Sequence, residues 1–503
     1  MTSTSWPTLP PPDPARALPP PPPPLTPEER VARSARDRVV LVAVVFVAAL
    51  VDLWWRTPMA GTAFFLAIAV SAALLFRLHL VASRAGRALV VAAVVPAAFV
   101  AVRASTWLVP LDIACALGMM ALGVTFGRAD RFFDQSFGAM VRRAAGAVFA
   151  LGLAPKAFGA TVRSASPVPG GRTQHLGAVV RGLVLVAPVL AIVGGMLASA
   201  DAVFASMFDV SIDGVDLATE LVFFAAALWF AAALFVHASR PKVMPSAGRV
   251  IRLGVVEACV VLSGLIVVYG LFAVARLLVA VRGADYVLST TGLSYAEYAR
   301  TGFFQLLWAG AITLVVLFGL RATVGPLSGR GRRAFAALSI VAVALTLVLV
   351  HAALLRLALY IDAFGLTMLR LSAVTLAWWI GAMFVLTGVA LAGVGRGRSW
   401  LAGAVVCSAA VTLAAMNVAN PEALVVESNL ARTTRTGEAD VSYLAGLSDD
   451  AVPALVANRS KLTATERAML DRVLCQDDAS DDSWNLAARR AADARRVVCG
   501  QRR

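Results

Sequence analysis

The chain has 503 residues, 59% of them hydrophobic and only 15% charged, and its mean hydropathy is +0.78. The apolar residues come in long uncharged blocks instead of the spaced stripes of soluble helices, which excludes a soluble globular protein. The net charge of +15 does not point to nucleic acid, because the basic residues sit in short loops between apolar blocks and no basic segment interleaved with aromatics stands apart from them.

In chain order, residues 1–38 hold no apolar signal segment, and Pro7 to Pro27 is dense in proline, including the run Pro19 to Pro24. Such a stretch favours polyproline II and cannot build a core, so it reads as a disordered cytoplasmic tail. The sharper alternative is that residues 7–27 dock a proline-recognising cytoplasmic partner. Arg30, Arg33, Arg36 and Arg38 then precede the first apolar block and hold the N-terminus in the cytoplasm.

A helix rises about 1.5 Å per residue, so about twenty apolar residues cross the hydrocarbon core. The blocks predict eleven spans: 39–55, 59–79, 88–105, 108–127, 178–199, 217–238, 253–280, 302–321, 334–359, 367–393 and 399–418. Loop charges test that count. Proposed inner loops carry Arg77, Arg84 and Arg87, then Arg128 through Arg172, then Arg240, Lys242, Arg249 and Arg252, then Arg330, Arg332 and Arg333, then Arg396 and Arg398. Two outer loops carry only Arg56 and only Arg103, while Asp201 to Glu220 holds five acids and no Lys or Arg. The alternation predicts an odd span number with the C-terminus outside, and Trp54, Trp55 and Trp107 at outer ends fit an aromatic belt.

The expected fold is therefore all-α: a polytopic helical membrane bundle of about eleven spans with a small helical extracytoplasmic C-terminal domain. Its parts are the tail 1–38, a four-span group 39–127, a cytoplasmic loop 128–177, a seven-span group 178–419 and the helical tail 420–503. In the loop, Phe133, Phe137, Met140, Val141, Ala144, Val148 and Leu151 share one helical face beside Arg142 and Arg143. That pattern suits either an interfacial helix on anionic headgroups or a short helix packed under the bundle.

Helix starts are expected where a capping residue precedes an apolar run: Ser294 with Glu297, Ser448 with Asp449 and Asp450, and Thr463 with Glu466. Of five cysteines, Cys115, Cys259 and Cys407 lie within spans, while Cys475 and Cys499 both lie in the tail, where an oxidising compartment would let them pair.

Three stretches, YAEYARTGFF at 295–304, LYIDAFGLTMLR at 359–370 and the run from Asn420 to Leu455, resemble a bacterial family of multi-pass membrane proteins catalogued as a domain of unknown function (4153/4173 type). The resemblance covers roughly residues 170–460, and Glu422 stands where the family's tail motif has an aspartate. It implies an integral protein of the bacterial inner membrane with an extracytoplasmic tail, and no reaction.

In this topology all three stretches share the outer face. Tyr295, Glu297, Tyr298, Arg300, Tyr360, Asp362, Arg370, Asn420, Glu422, Asn429 and Arg432 form either a polar vestibule or a set of caps and ion pairs holding the tail on the bundle. Ionisable residues near or in spans, Asp52, Asp112, Glu257, Arg276, His351 and Arg356, are costly in lipid and so are further candidates. Pro96, Pro188, Gly194 and Gly195 are helix breakers of the kind found at transporter sites and in plain kinked packing. The four histidines are scattered over different segments, and no metal, nucleotide or hydrolase motif is present, so no cofactor is expected.

The leading reading is a non-enzymatic envelope protein in contact with the lipid bilayer, whose outer vestibule and tail bind a partner, lipid or envelope component. The alternatives are a secondary transporter or channel using the near-span charges, and a membrane enzyme acting on a lipid-linked substrate with Glu297 as base and Arg300 or Arg370 holding phosphate.

Overall fold

A computed structural model describes residues 26–55, 60–127, 132, 138–140, 143, 146, 154–165, 214–239, 253–282, 302–324, 329–392, 400–436, 439–476 and 485–500. Among the described residues the chain is all-helical, with no strand beyond an isolated pairing of Leu253 with Val324. In order the helices are α1 (Pro27–Trp55), α2 (Ala60–Arg77), α3 (Arg84–Ala92), α4 (Val94–Val102), α5 (Leu108–Thr125), α6 (Ala154–Ala165), α7 (Gly214–Ser239), α8 (Val255–Arg282), α9 (Phe303–Thr323), α10 (Gly329–Phe364), α11 (Met368–Leu391) and α12 (Trp400–Ala419). After Asn420 come α13 (Pro421–Thr436), α14 (Val441–Ala445), α15 (Val452–Ala457), a 3-10 turn at Arg459–Lys461, α16 (Ala464–Gln476) and α17 (Leu486–Cys499).

Seven helical segments among the described residues are long and apolar enough to cross a membrane: α3 with α4, α5, and α8 through α12. The apolar parts of α2 and α7 are shorter. The expected span 178–199, the breakers Pro188, Gly194 and Gly195, and the acids Asp201, Asp209 and Asp213 lie outside the described residues.

The span 84–102 is two helices because of Pro96. Proline lacks an N–H for the carbonyl four residues back and its ring crowds that turn, so α3 ends at Ala92 and α4 begins at Val94. Close helix approach depends on glycine elsewhere. A Cβ on Gly86 would lie 2.8 Å from the Gly123 carbonyl oxygen, and one on Gly123 would lie 2.6 Å from Val90, so α3 and α5 cross where neither has a side chain.

Two apolar cores result. Val44, Leu75, Val90, Met120 and Phe235 join α1, α2, α3, α5 and α7, while Leu262, Leu314, Met383, Phe384 and Leu401 join α8 through α12. α12 also touches α4 and α5, so the last apolar helix bridges both groups. Hydroxyls inside the spans are satisfied locally: Thr313, Thr346 and Thr387 each donate to the carbonyl four residues earlier at 2.7 Å, and Tyr269 shares a 2.6 Å bond with Thr313.

α10 is 36 residues long, about 54 Å at 1.5 Å per residue against a hydrocarbon core of about 30 Å. Its ends therefore project. Arg330, Arg332 and Arg333 are exposed at one end, and Tyr360 to Phe364 at the other supports the chain after Asn420. In the 128–177 loop, Met140 is buried with Leu89, Phe126, Phe132 and Ala402, and the Arg143 guanidinium lies 5.0 Å from the Phe126 ring. These residues pack under the bundle; most of the rest of that face lies outside the described residues.

Candidate functional site

The polar residues converge where the helices after Asn420 meet the span ends. α12 stops at Ala419, and Asn420 then takes a left-handed φ of 51°, which asparagine tolerates better than most side chains. Its Oδ1 accepts from the Ala423 amide at 3.3 Å and Pro421 opens α13, the expected pairing of an N-cap with proline at the first helical position. Its Nδ2 donates to the Asp450 carbonyl at 3.0 Å. Glu422, 2% exposed, accepts from the Ser448 amide at 2.8 Å and the Ser448 hydroxyl at 2.6 Å, fixing the turn that carries Asp450.

Asp450 is the first half of a clasp. Its Oδ1 accepts from Arg103 at 2.9 Å, and its Oδ2 accepts from the Ala104 and Ser105 amides at 2.7 and 3.0 Å in the α4–α5 turn. The Arg103 and Asp450 side chains are 11% and 3% exposed. Arg103 also donates to the Asn417 carbonyl, and Asn485 Nδ2 donates to the Arg103 carbonyl at 2.8 Å.

The α10–α11 turn is the second half. Asn429 on α13 donates to the Leu366 carbonyl at 2.6 Å and accepts from the Leu366 amide at 3.2 Å, so one amide side chain reads both polar groups of one residue. Gly365 has φ +79°, and a Cβ there would collide with Asn429 Oδ1. Arg432 donates to the Ala363 carbonyl at 3.2 Å, and the Tyr443 hydroxyl accepts from the Met368 amide at 2.8 Å. Arg370 donates to the Phe364 carbonyl at 2.9 Å and to the Gly365 carbonyl, with its guanidinium 4.1 Å from the Tyr360 ring. Met368 is buried in the same core as Val425, Leu430, Leu444, Leu455 and Leu470.

Below the Arg103 end of the clasp lies an apolar groove of about 170 Å³ between α4, α5 and α12, lined by Pro96, Phe99, Cys115, Met119, Leu413 and Ala414 among others. Its one charged lining residue is Asp112, fully buried. Asp112 Oδ1 accepts from Asn417 Nδ2 at 2.8 Å, while Oδ2 has no hydrogen-bond partner among the described residues.

The remaining candidates do not gather into one site. Glu257, His351 and Asp362 sit on exposed faces, and Asp52 and Arg276 are half-buried on α1 and α8. The Arg356 guanidinium crowds Gly302, whose φ of +88° opens α9. Tyr295, Glu297, Tyr298 and Arg300 lie outside the described residues. No cluster of three or more metal-ligating side chains occurs among the described residues.

Away from the span ends, Cys475 and Cys499 are disulfide-bonded with Cα atoms 5.8 Å apart, joining the last turns of α16 and α17. Thr463 and Glu466 form a reciprocal cap on α16, and Glu466 also accepts from the Ala439 amide at 2.9 Å. The Ala439 and Thr463 amides hold the Glu466 carboxyl below its ordinary range. Asp440, capping α14 through the Tyr443 amide with help from Ser442, is likewise lowered. The side-chain bond to Asp471 raises Arg459.

Residues 88–458 match the family described as Domain of unknown function (DUF4153). The chain belongs to the DUF4153 family. No curated protein and no solved structure matches it significantly. The DUF4153 region contains both halves of the clasp and the groove, and it stops before α16, α17 and their disulfide. Sequence reasoning missed Arg103, Asn417, Tyr443 and Asp450 as partners in this DUF4153 region. Asn417 carried a signal, being an amide inside an apolar span, where a polar group needs a partner; the others have partners 75 to 347 residues away.

Proposed function

We propose that the protein is a non-enzymatic integral membrane protein of the bacterial cytoplasmic membrane. Its N-terminus lies in the cytoplasm, and its tail lies outside as a fixed surface for an envelope partner. The observation that carries this reading is the clasp. Asn429 and Arg432 bond across to the α10–α11 turn and Asp450 to the α4–α5 turn, while Asn420 and Glu422 brace the segment that carries Asp450 and Arg370 closes its own turn. Polar residues used this way hold two parts of a molecule in set relation. A transport reading draws no comparable support, since His351 and Glu257 occupy exposed faces of different helices.

The orientation is supported by chemistry: a disulfide belongs in an oxidising compartment, and the basic loops fall on the other side. On α16, Met469, Arg472 and Val473 are exposed at helical spacing and offer a mixed apolar and basic contact face.

The test has two steps. In intact cells, a membrane-impermeant maleimide should label Cys475 and Cys499 only after mild reduction; labelling that needs permeabilisation and no reductant overturns the orientation. A photocrosslinking residue at Arg472 should then give a discrete adduct that is lost when the clasp is broken by Asp450→Ala. An adduct indifferent to Asp450→Ala, or none at all, refutes the fixed-surface role.

A further inference from the structure

Beside the clasp, several buried polar atoms lack a hydrogen-bond partner among the described residues: Asp112 Oδ2, Asn417 Oδ1, Arg103 Nε and Ser105 Oγ. Asp112 is fully buried, yet its Oδ2 has no partner among the described residues. A buried carboxylate oxygen without a partner is rare and costly, because it loses its water without regaining a hydrogen bond. The other groove-lining side chains are Ala, Val, Leu, Pro, Phe, Met and Cys.

The groove has direction. Asp112, Cys115 and Met119 fall on one face of α5 and span about 10 Å at 1.5 Å per residue. Asp112 lies at the clasp end, where it meets Asn417, and Met119 lies about two turns farther along α5. The volume of about 170 Å³ compares with the roughly 150 Å³ apolar cavity that admits a benzene-sized molecule. It has room for a segment of one apolar chain, not for the paired chains of a phospholipid. No cationic side chain lines it, so nothing there would meet a phosphate.

We propose that the groove between α4, α5 and α12 binds a single-chain amphiphile with a hydrogen-bond-donating head, hydroxyl or ammonium. The head meets Asp112 Oδ2 and the chain lies along α5 toward Met119. The carboxylate supplies the acceptor, the surrounding apolar wall strengthens that bond by excluding water, and the chain contributes by leaving water or exchanging with lipid. Asn417 links this head position to the clasp: its side chain holds Asp112 Oδ1 and its carbonyl holds Arg103. The site is separate from the exposed tail face and stands or falls without it.

The test uses the full-length protein in nanodiscs of defined phosphatidylcholine, with three photoreactive probes sharing one sixteen-carbon diazirine chain: a primary amine, a primary alcohol and a methyl ester. Mass spectrometry of peptides from α3 to α5 and α12 reads the labelling. The amine, the alcohol or both should label the groove at least about tenfold more efficiently than the ester, the equivalent of about 1.4 kcal/mol. Preference for the amine assigns an ammonium head, and equal labelling by amine and alcohol assigns the shared donor. Asp112→Asn presents an amide N–H to the groove, because its oxygen keeps the bond from Asn417, and should abolish the preference. Ala414→Phe leaves Asp112 in place, fills the groove and should abolish labelling by all three probes, which keeps the test decisive if Asp112→Asn fails to fold. Equal labelling by all three probes, stronger labelling by the ester, or labelling unchanged by Ala414→Phe overturns the proposal.

Discussion

Asp450→Ala is the sharpest test of how the helices after Asn420 are held. The substitution removes the acceptor for Arg103 at 2.9 Å and for the Ala104 and Ser105 amides at 2.7 and 3.0 Å. The pair is well buried, with side chains 11% and 3% exposed, so the guanidinium left behind cannot fall back on full hydration. Removing one partner of such a pair costs about 3–5 kcal/mol, and the two stranded amides add to that without simple additivity. Amide hydrogen exchange of the full-length protein in nanodiscs reads this directly. Exchange at Ala104 and Ser105 should quicken by roughly two to four powers of ten, at about 1.4 kcal/mol per power, and α13 and α15 should lose protection with them. The comparison is Asp493→Ala, whose bond to Arg496 joins side chains 73% and 80% exposed; it should leave exchange at the same amides unchanged. If Asp450→Ala changes exchange at Ala104 and Ser105 by less than about threefold, the clasp is not what holds the two parts together.

Three further outcomes follow from the same contacts. Gly365→Ala places a Cβ at φ +79° and against Asn429 Oδ1, so it should lower the thermal midpoint of the helices after Asn420 by an amount equivalent to about 1–3 kcal/mol, and Asn429→Ala should recover part of that loss. Cys475→Ser with Cys499→Ser opens a loop of sequence separation 24 and should cost about 3 kcal/mol. Dithiothreitol should shift the wild-type melting curve and leave the double variant unmoved. Glu466 and Asp440 have carboxyls lowered below ordinary values of 4.5 and 3.8. The stabilisation they give is complete above the unfolded values, roughly above pH 5, and is lost as pH falls through the lower folded values. Thermal midpoints taken from pH 7 to pH 3 should therefore drop on acidification, and Glu466→Gln should flatten the decline below about pH 4.5.

The sequence made the membrane class legible because twenty-residue apolar blocks have few other physical meanings. Local devices were legible too: the Thr463–Glu466 cap on α16 and the pairing of two tail cysteines both depend on short spacing or on a small choice of partners. Ser448, expected at a helix start, accepts from the Asp450 amide at 3.3 Å ahead of α15, and its hydroxyl also donates to Glu422. Asp450 was read with it as capping α15 and instead reaches the α4–α5 turn. That partner lies 347 residues earlier, beyond anything periodicity can report. The outer polar residues drew attention because they clustered by topology, yet the two readings of that cluster, vestibule or clasp, have identical composition and differ only in which groups face one another. Asp112 was visible as a charge in a span, but its amide partner was not, since a single Asn417 in an apolar run names no partner.

The bond from Asn417 to Asp112 spans 305 residues, and this distance has a consequence for biogenesis. At about 5–20 residues per second, α12 leaves the ribosome roughly 15–60 s after α5. Throughout that interval α5 holds a carboxyl group awaiting its amide, and an ionisable group within a span is costly until it is paired. The polar pairing inside the early spans is thus completed only when the final span arrives and Asn417 meets Asp112.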